Sequence, residues 1–382
     1  MNTTSIKNAS ENRVLFTCPM SKIMPIIRPV GNVCNLKCTY CYYNSTDQQF
    51  DKCATMSDAV LERFISQFIE LSGDEVIFVW HGGEPLLAGI DFYKKVLYYE
   101  NIYKKNNQVI KNNIQTNGIL INKEWASLFR KYDFHVGMSL DGNKYCHNMF
   151  RKNQHGDGCF EQVIHAIELL REFGIEPGIL QTATKFSLQY IKENFDFFID
   201  ELKLKKWGIN VYNDLGNNNP LMKGQSLSNN DFYLLYKTIF DLWIDRDDPD
   251  IEIREIETFV SGIYGKYSGI CQTSGICSSF IALDPEGHIT PTCESFYFSD
   301  DYKNDTNVLD YDLLNILNGN KRLEFCKTIN YVPKECKDCR WRPGCFNGCT
   351  WQRDSNNMYI YCEGRKKLFS YMWDFLNNHV KL

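Results

Sequence analysis

Short apolar runs alternate with longer amphipathic segments over the first part of the chain. Six of these runs are predicted as strands because they are short and bounded by polar or turn-forming residues. They cover residues 24–29, 76–80, 109–115, 135–140, 178–184 and 207–212. Strands that alternate with helices form βαβ units, and these units build a parallel sheet. The predicted fold class is therefore α/β, with the sheet curved into a partial (β/α)6 TIM-type barrel.

Apolar residues at three- and four-residue spacing predict helices between these strands. The clearest helix covers residues 160–173, where Phe160, Val163 and Ile167 fall on one face. Ser57 stands just before another periodic segment and is predicted to cap its first turn.

The pattern changes three times along the chain, which predicts four regions. They are a polar arm at 1–22, the barrel at 23–230, a helical bridge at 231–268 and a cysteine-rich domain at 269–382. The bridge consists of two predicted helices, at 232–243 and 251–264. The last region is expected to depend on metal for its order and to end in an amphipathic helix at 368–375.

The composition supports a packed core and excludes several classes of protein. Hydrophobic residues make up 43% of the 382 residues, which argues against general disorder. The 42 basic and 47 acidic residues give a formal charge of −5, whereas a nucleic-acid binder or a polybasic membrane anchor needs a strongly basic face. No apolar run approaches the roughly 20 residues that span a bilayer.

The chain contains 16 cysteines, and its first residues are polar with no secretory pattern. We therefore expect a cytoplasmic protein, in which clustered cysteines more often bind metal than form disulfides. Structural disulfides remain the alternative.

Three cysteines, Cys34, Cys38 and Cys41, are spaced Cys-x3-Cys-x2-Cys directly after the first predicted strand. Three thiolates at this spacing can hold three irons of a [4Fe–4S] cluster and leave the fourth iron open for a ligand. A partial zinc site is the alternative, but zinc normally takes a fourth ligand, and this loop offers none.

This triplet, which carries the aromatic Tyr40 before its last cysteine, resembles the signature of the radical S-adenosylmethionine (SAM) superfamily. The resemblance implies that SAM binds the open iron through its amino and carboxylate groups. It also implies that one electron from the cluster cleaves SAM to a 5′-deoxyadenosyl radical.

Loops after the next strands resemble further superfamily motifs. Gly82, Gly83 and Glu84 match a glycine-rich loop for the SAM amino group, since glycines let backbone carbonyls approach an ammonium. The resemblance also implies cofactor-binding roles for Tyr40, Asn117, Ser139 and Arg151. Asp141 stands with Ser139 in a stretch that resembles the one near the SAM ribose and carboxylate. A solvated surface charge is the alternative for Arg151, and a turn residue is the alternative for Asp141.

Eight further cysteines lie near the C-terminus. They are Cys271, Cys277, Cys293, Cys336, Cys339, Cys345, Cys349 and Cys362. Eight thiolates suffice for two fully ligated [4Fe–4S] clusters, whereas a zinc ribbon is the alternative. The remaining cysteines, Cys18, Cys53, Cys146, Cys159 and Cys326, are predicted to be buried thiols.

This region resembles the SPASM extension of peptide- and protein-modifying radical SAM enzymes. The resemblance assigns one auxiliary cluster to Cys271, Cys277, Cys293 and Cys349. It assigns the other to Cys336, Cys339, Cys345 and Cys362. Three [4Fe–4S] clusters are thus expected, together with an external electron donor such as flavodoxin or ferredoxin.

Glu294 and Tyr43 are the candidate catalytic residues. Glu294 follows Cys293, where sulfatase maturases have an aspartate that is the proposed base, and Tyr43 matches an aromatic residue beside their substrate channel. A structural carboxylate and a core aromatic are the respective alternatives. His81 stands where the sulfatase maturases have glutamine, which is closer to enzymes that modify ribosomal peptides.

The leading hypothesis is a maturase that abstracts hydrogen from a side chain of a ribosomal precursor (RiPP) peptide for crosslinking or another oxidation. A second is an anaerobic sulfatase-maturating enzyme that converts Cys or Ser to formylglycine. A third is a non-catalytic iron–sulfur or zinc protein.

Overall fold

The structure is a computed structural model that describes residues 23–45, 55–214, 219–266, 270–293 and 303–379. The predicted arm at 1–22 and the candidate base Glu294 lie outside these residues, as do Cys18 and Cys53.

The strands of the described residues follow the predicted order. They are β1 Met24–Ile27, β2 Glu75–Trp80, β3 Val109–Thr116, β4 His135–Ser139, β5 Gly178–Ala183, β6 Lys206–Val211, β7 Glu252–Ile253, β8 Phe280–Leu283 and β9 Ile289–Thr290. The six predicted strands are confirmed, each within two residues at either end. The short strands β7, β8 and β9 were not predicted.

The α-helices lie mainly between and after these strands. They are α1 Asp58–Leu71, α2 Ile90–Tyr103, α3 Lys123–Lys131, α4 Lys144–Phe150, α5 Phe160–Glu172, α6 Ile191–Asp196, α7 Asn229–Arg246, α8 Arg254–Ile263, α9 Cys271–Ser274, α10 Leu313–Leu317, α11 Asn320–Ile329, α12 Lys334–Lys337, α13 Arg342–Cys345 and α14 Cys362–His379. Ser57 caps α1 as predicted, because its side chain accepts the backbone N–H of Val60. The final helix is much longer than predicted and begins at Cys362.

The chain divides into two compact units whose segments alternate in the sequence. The first takes its described residues from 1–33, 50–113 and 276–332, and the second from 34–49, 114–275 and 333–382.

In the first unit, β1 lies between two parallel neighbours. Ile26 is level with Val79 of β2 on one side and with Ala282 of β8 on the other. β9 pairs antiparallel with β8, so the strand order is β2-β1-β8-β9. Aromatic residues of α1 and β2 form the core here, and the ring centroids of Phe68 and Phe78 are 5.4 Å apart. This parallel arrangement places the loops after β1 and β2 at the same edge of the sheet.

In the second unit, the parallel strands run in the order β4-β5-β6-β7. Gly137 of β4 is level with Gly178 of β5, and Leu180 of β5 is level with Gly208 of β6. The two units therefore confirm the predicted α/β class with parallel strands.

Helices of the bridge and of the C-terminal region pack together within the second unit. The long helices α7 and α14 meet through aromatic residues, with the rings of Phe240 and Phe375 5.5 Å apart. Gly262 of α8 and Gly344 of α13 touch backbone to backbone. A Cβ atom on Gly344 would lie 2.4 Å from the carbonyl carbon of Gly262, which leaves no room for a side chain at this crossing.

Candidate functional site

The first cysteine loop follows β1, and the thiol of Cys34 lies among backbone and amide N–H donors. The Sγ atom of Cys34 accepts the backbone N–H of Leu36 at 3.4 Å and the side-chain Nδ2 of Asn117 at 3.7 Å. The same Asn117 nitrogen donates to Oδ1 of Asn35 at 2.8 Å. N–H donors beside a sulfur favour the thiolate that an iron–sulfur cluster requires.

A buried ion pair joins this loop to the end of β4. Arg151 donates from Nε to Oδ2 of Asp141 at 2.8 Å and from a terminal nitrogen to Oδ1 at 3.2 Å. Tyr40, the aromatic residue of the cysteine motif, donates its hydroxyl to the same carboxylate at 2.6 Å. Both members of the pair are buried, so Asp141 is not merely a turn residue and Arg151 is not a solvated surface charge.

The electrostatics of this pair follow from its burial. Burial alone lowers the pKa of Arg151, but the carboxylate of Asp141 outweighs that effect, and the pKa lies well above its ordinary value. Burial also raises the pKa of Tyr40 well above its usual range. Arg151 therefore stays cationic and Tyr40 stays a neutral donor, which fixes the orientation of the loop.

A second layer supports Asp141 and was not predicted from the sequence. The backbone N–H of Asp141 donates to Nδ1 of His147 at 3.4 Å, and Nε2 of His147 lies 3.3 Å from Sγ of Cys159. Because Nδ1 accepts, the neutral imidazole carries its proton on Nε2 and donates it to that sulfur. The Cys159 thiol in turn donates to the carbonyl of Arg151 at 3.9 Å. Burial lowers the pKa of His147 to about 3, so the imidazole is uncharged at neutral pH.

The glycine-rich loop after β2 binds the segment that leads to the first cysteine. The backbone N–H of Gly83 donates to the carbonyl of Gly31, and that of Glu84 donates to Val33, each at 2.8 Å. A Cβ atom on Gly83 would lie 2.1 Å from the carbonyl oxygen of Val33, so only glycine fits there. The Glu84 side chain is buried and accepts the N–H of Leu86 at 3.1 Å.

A cavity of about 490 Å³ opens beside the strands of the second unit. Glycines on three neighbouring strands, Gly137, Gly178 and Gly208, line it and leave the space that side chains would fill. Gln115 also lines the cavity and donates to Oγ of Ser139 at 3.3 Å. Its remaining lining includes the charged residues Lys206, Glu252, Arg254 and Glu257. The cavity thus extends to a hydrogen-bond partner of Ser139.

Four of the C-terminal cysteines share one narrow pocket in the second unit. Cys336, Cys339, Cys345 and Cys362 line it, and these are the four that the SPASM resemblance groups together. Arg365, one helical turn after Cys362, lines the same pocket and donates to Sγ of Cys345 at 3.6 Å. The donor set of four thiols and one buried guanidinium fits an anionic cluster.

The other predicted set is divided between the units, with Cys277 and Cys293 in the first and Cys271 and Cys349 in the second. Arg322 donates to the backbone carbonyls of Ser278 and Pro291 and so ties together the segments that carry Cys277 and Cys293. The grouping of these four cysteines stays a prediction.

The candidate catalytic residue Tyr43 follows the three cysteines, and its ring packs against that of Tyr42 with the centroids 4.3 Å apart. Its catalytic role stays a prediction.

Across the described part of the chain, no group of three or more His, Cys, Asp or Glu side chains is arranged to hold a metal ion. The cysteine ligands of a [4Fe–4S] cluster stand farther apart than those of a single metal ion, because the irons and sulfides lie between them.

Comparison with known proteins agrees with these observations. The Radical SAM superfamily profile matches residues 29–196. The chain is 30% identical over 373 residues to the cysteine-type anaerobic sulfatase-maturating enzyme of Clostridium perfringens, and the alignment covers 94% of this chain and 98% of that enzyme.

The chain belongs to the anaerobic sulfatase-maturating enzyme family of the radical SAM superfamily.

Solved structures extend the comparison within and beyond this family. A structure of anSMEcpe with bound AdoMet and Cp18Cys peptide has a TM-score of 0.82 and 30% identity, and covers 93% of this chain and 98% of that one. Streptococcus suis SuiB bound to the precursor peptide SuiA has a TM-score of 0.64 and 19% identity, covering 94% and 79% of the two chains. At that identity the second likeness shows the fold alone.

Membership in the superfamily makes this chain an enzyme and implies one [4Fe–4S] cluster and SAM. The residues present fit both groups, because the three-cysteine loop and Asn117 supply N–H donors to sulfur and Arg151 supplies a fixed cation.

Two residues of the candidate sites were not predicted, although their spacing from predicted residues is that of one helical turn. His147 stands one helical turn before Arg151, and Arg365 stands one turn after Cys362. None of the helices in the described ranges is both long and apolar enough to cross a membrane.

Proposed function

We propose that this enzyme oxidises a cysteine side chain of a protein substrate to formylglycine. The similarity to a cysteine-type sulfatase-maturating enzyme over almost the full length of both chains carries this proposal. We further propose that Cys34, Cys38 and Cys41 hold the SAM-binding cluster and that the eight C-terminal cysteines hold two auxiliary clusters.

The chain's own residues have distinct roles in this proposal. Arg151, held in place by Asp141, would pair with the SAM carboxylate, and backbone groups of Gly82 and Gly83 would receive the SAM amino group. Ser139 and Asn117 would complete the cofactor site. The cavity beside Ser139 would admit the substrate side chain, because the glycines leave space there. When bound, SAM supplies the deoxyadenosyl radical that removes one hydrogen atom.

The oxidation balances with one electron and one proton leaving the substrate besides that hydrogen atom. Glu294 would accept the proton from the cysteine thiol, and an auxiliary cluster would accept the electron. Water then converts the thioaldehyde to the aldehyde and releases hydrogen sulfide. A flavodoxin or ferredoxin would reduce the SAM-binding cluster.

The test is anaerobic turnover of the reconstituted enzyme with SAM, dithionite and a short peptide that bears the sulfatase cysteine motif. The expected products are 5′-deoxyadenosine and a peptide with the mass of the aldehyde. A matched peptide with alanine in place of the cysteine should remain unmodified. Formation of deoxyadenosine without any modified cysteine peptide would overturn the proposed substrate.

Peptide crosslinking is a second candidate, which His81 in place of the maturase glutamine favours. It predicts a precursor peptide that loses two hydrogens and resists sequencing at two joined residues. The same mass-spectrometric assay separates the two candidates, because only formylglycine reacts with a hydrazide reagent.

A further inference from the structure

Arg365 is a buried cation with unusual partners. It lies on α14 with 2% of its surface exposed. Its terminal nitrogens donate to the carbonyl of Gln272 at 3.1 Å, to Sγ of Cys345 at 3.6 Å and to the hydroxyl of Tyr359 at 2.8 Å. Its Nε atom is buried and has no hydrogen-bond partner in the described part of the chain.

Aromatic rings enclose the rest of the guanidinium. Its carbon lies 4.2 Å from the ring centroid of Tyr359, 5.5 Å from that of Phe259 and 5.7 Å from that of Phe232. These cation–π contacts hold the guanidinium in one orientation.

The structure records no carboxylate in contact with Arg365 among the residues it describes. Arg151 is also buried but has both oxygens of Asp141 as its counter-charge. Removing a charge from water costs several kcal/mol when no opposite charge accompanies it. Neutral acceptors satisfy only some of the N–H donors of Arg365, so we expect an anion to bind beside it.

The cysteine pocket is the place where that anion would bind. Cys336, Cys339, Cys345 and Cys362 line the same pocket as Arg365. Four thiolates around an iron–sulfur cluster carry net negative charge, and N–H donors to the sulfurs are among the factors that set its potential.

We propose that Arg365 is the buried counter-charge of the auxiliary cluster at this pocket and raises its reduction potential. The inference rests on the proposed assignment of that cluster. Each added electron increases the negative charge of the cluster, and a fixed cation in a low-dielectric setting stabilises the reduced form more than the oxidised form. A raised potential suits a cluster that accepts an electron from the substrate.

Other cations near the pocket do not substitute for Arg365. Lys366 also lines the pocket, but it is only partly buried and is paired with the carboxylate of Glu363 at 2.9 Å. Lys367 is exposed and lies over the ring of Tyr233 at 4.1 Å. Water, salt and the partner carboxylate weaken these charges, so Lys366 is expected to influence the cluster less than Arg365 does, and Lys367 little.

The test is a redox titration of the full chain monitored by electron paramagnetic resonance. Cys34, Cys38 and Cys41 are replaced with Ala so that only the C-terminal clusters contribute. Arg365→Gln is expected to shift one midpoint potential to a more negative value, and Arg365→Lys to shift it less. Lys367→Gln, which removes a nearby exposed charge, is the matched control and should leave the potential unchanged.

Iron analysis separates the two levels of the inference. Cys336→Ala should remove the signal that Arg365 shifts and lower the iron content; unchanged iron and signals would reject the cluster assignment itself. If the cluster is present but Arg365→Gln leaves its potential unchanged, the role of Arg365 is rejected. If the Gln variant fails to retain iron, Arg365→Met, which also removes the charge, is titrated in its place: a negative shift supports the role, and an unchanged potential rejects it.

Discussion

Two buried arginines stand beside cysteine groups in this enzyme, and they differ in how their charge is balanced. Arg151 forms a two-point ion pair with Asp141, which also accepts the hydroxyl of Tyr40. Arg365 has a thiol, a carbonyl and a phenol as its partners. The polypeptide alone therefore balances the charge of Arg151, whereas the charge of Arg365 would be balanced by the proposed cluster.

This difference separates the tasks of the two regions. The first site must bind and release SAM in every turnover, so its charged residues need a stable arrangement without the ligand. The proposed auxiliary cluster would instead stay in place between turnovers, and its own negative charge would complete the environment of Arg365. The predictions below test this contrast, beginning with the largest expected effect.

Cys34→Ala is expected to reduce SAM cleavage to background, because the SAM-binding cluster loses one of three ligands. Deoxyadenosine measured by chromatography is the readout. Cys326→Ala, which removes a buried thiol outside the predicted ligand sets, is the control and should retain cleavage. Equal cleavage by both variants would contradict the assignment of the first cluster.

Arg151→Leu is expected to lower the free energy of unfolding by about 3–5 kcal/mol, because it leaves the buried Asp141 without its cation. Combining it with Asp141→Leu should restore much of that loss. Denaturant unfolding followed by circular dichroism measures both effects. Arg365→Leu should cost less than Arg151→Leu, since it orphans no carboxylate; an equal or larger cost would break the comparison.

Glu100 is a buried acid with no ion pair among the described residues, and it extends the comparison to a buried carboxyl group. Burial raises its pKa to about 8, and its recorded hydrogen bond comes from Nδ2 of Asn112 at 3.1 Å. A raised carboxyl pKa means that the folded state holds its proton more tightly, so stability is full at low pH and falls as pH rises through about 8.

Glu100→Gln cannot lose a proton, so it should match the wild type in acid and exceed it in alkaline solution. We expect a gain of about 2–4 kcal/mol above the raised pKa. Unfolding curves measured across this pH range provide the check. A stability difference that does not change with pH would show that the carboxyl is not the cause.

His147→Ala is expected to lower SAM cleavage by about tenfold, the usual scale for losing an outer-shell partner. The substitution removes the acceptor of the Asp141 N–H and the donor to Cys159. His147→Gln should recover part of the activity. Because the pKa of His147 is near 3, both enzymes should show the same pH profile across the neutral range; a differing profile would mean that this imidazole titrates during turnover.

The parallel strands could be predicted because each buried strand is a compact apolar run between polar segments. β8 was missed because its four residues follow cysteines and short turns, and its partner β1 lies far away in the sequence. The cysteine spacings predicted which thiols could hold clusters, whereas the grouping of Cys336, Cys339, Cys345 and Cys362 came from the SPASM resemblance. That these thiols hold clusters stays a prediction.

Charge balance could not be predicted in the same way. The sequence alone left a turn residue as the alternative for Asp141. Only the fold brings Arg151 and Tyr40 to its carboxylate. Arg365 likewise resembles any basic residue of an amphipathic helix until its burial is known. The local pattern predicts which apolar residues are buried, whereas the partners of a buried charge depend on tertiary contacts.

The glycine crossing between α8 and α13 has a consequence for how the cysteine pocket opens. Gly262 and Gly344 touch through their main chains, and Gly344 directly precedes Cys345. Separating them would require the two helices to part along a shared seam rather than one loop to swing aside. Insertion of the proposed cluster is therefore expected to precede closure of this seam. Gly344→Ala, whose added Cβ would hold the two helices apart, should take up iron more slowly than the wild type during reconstitution.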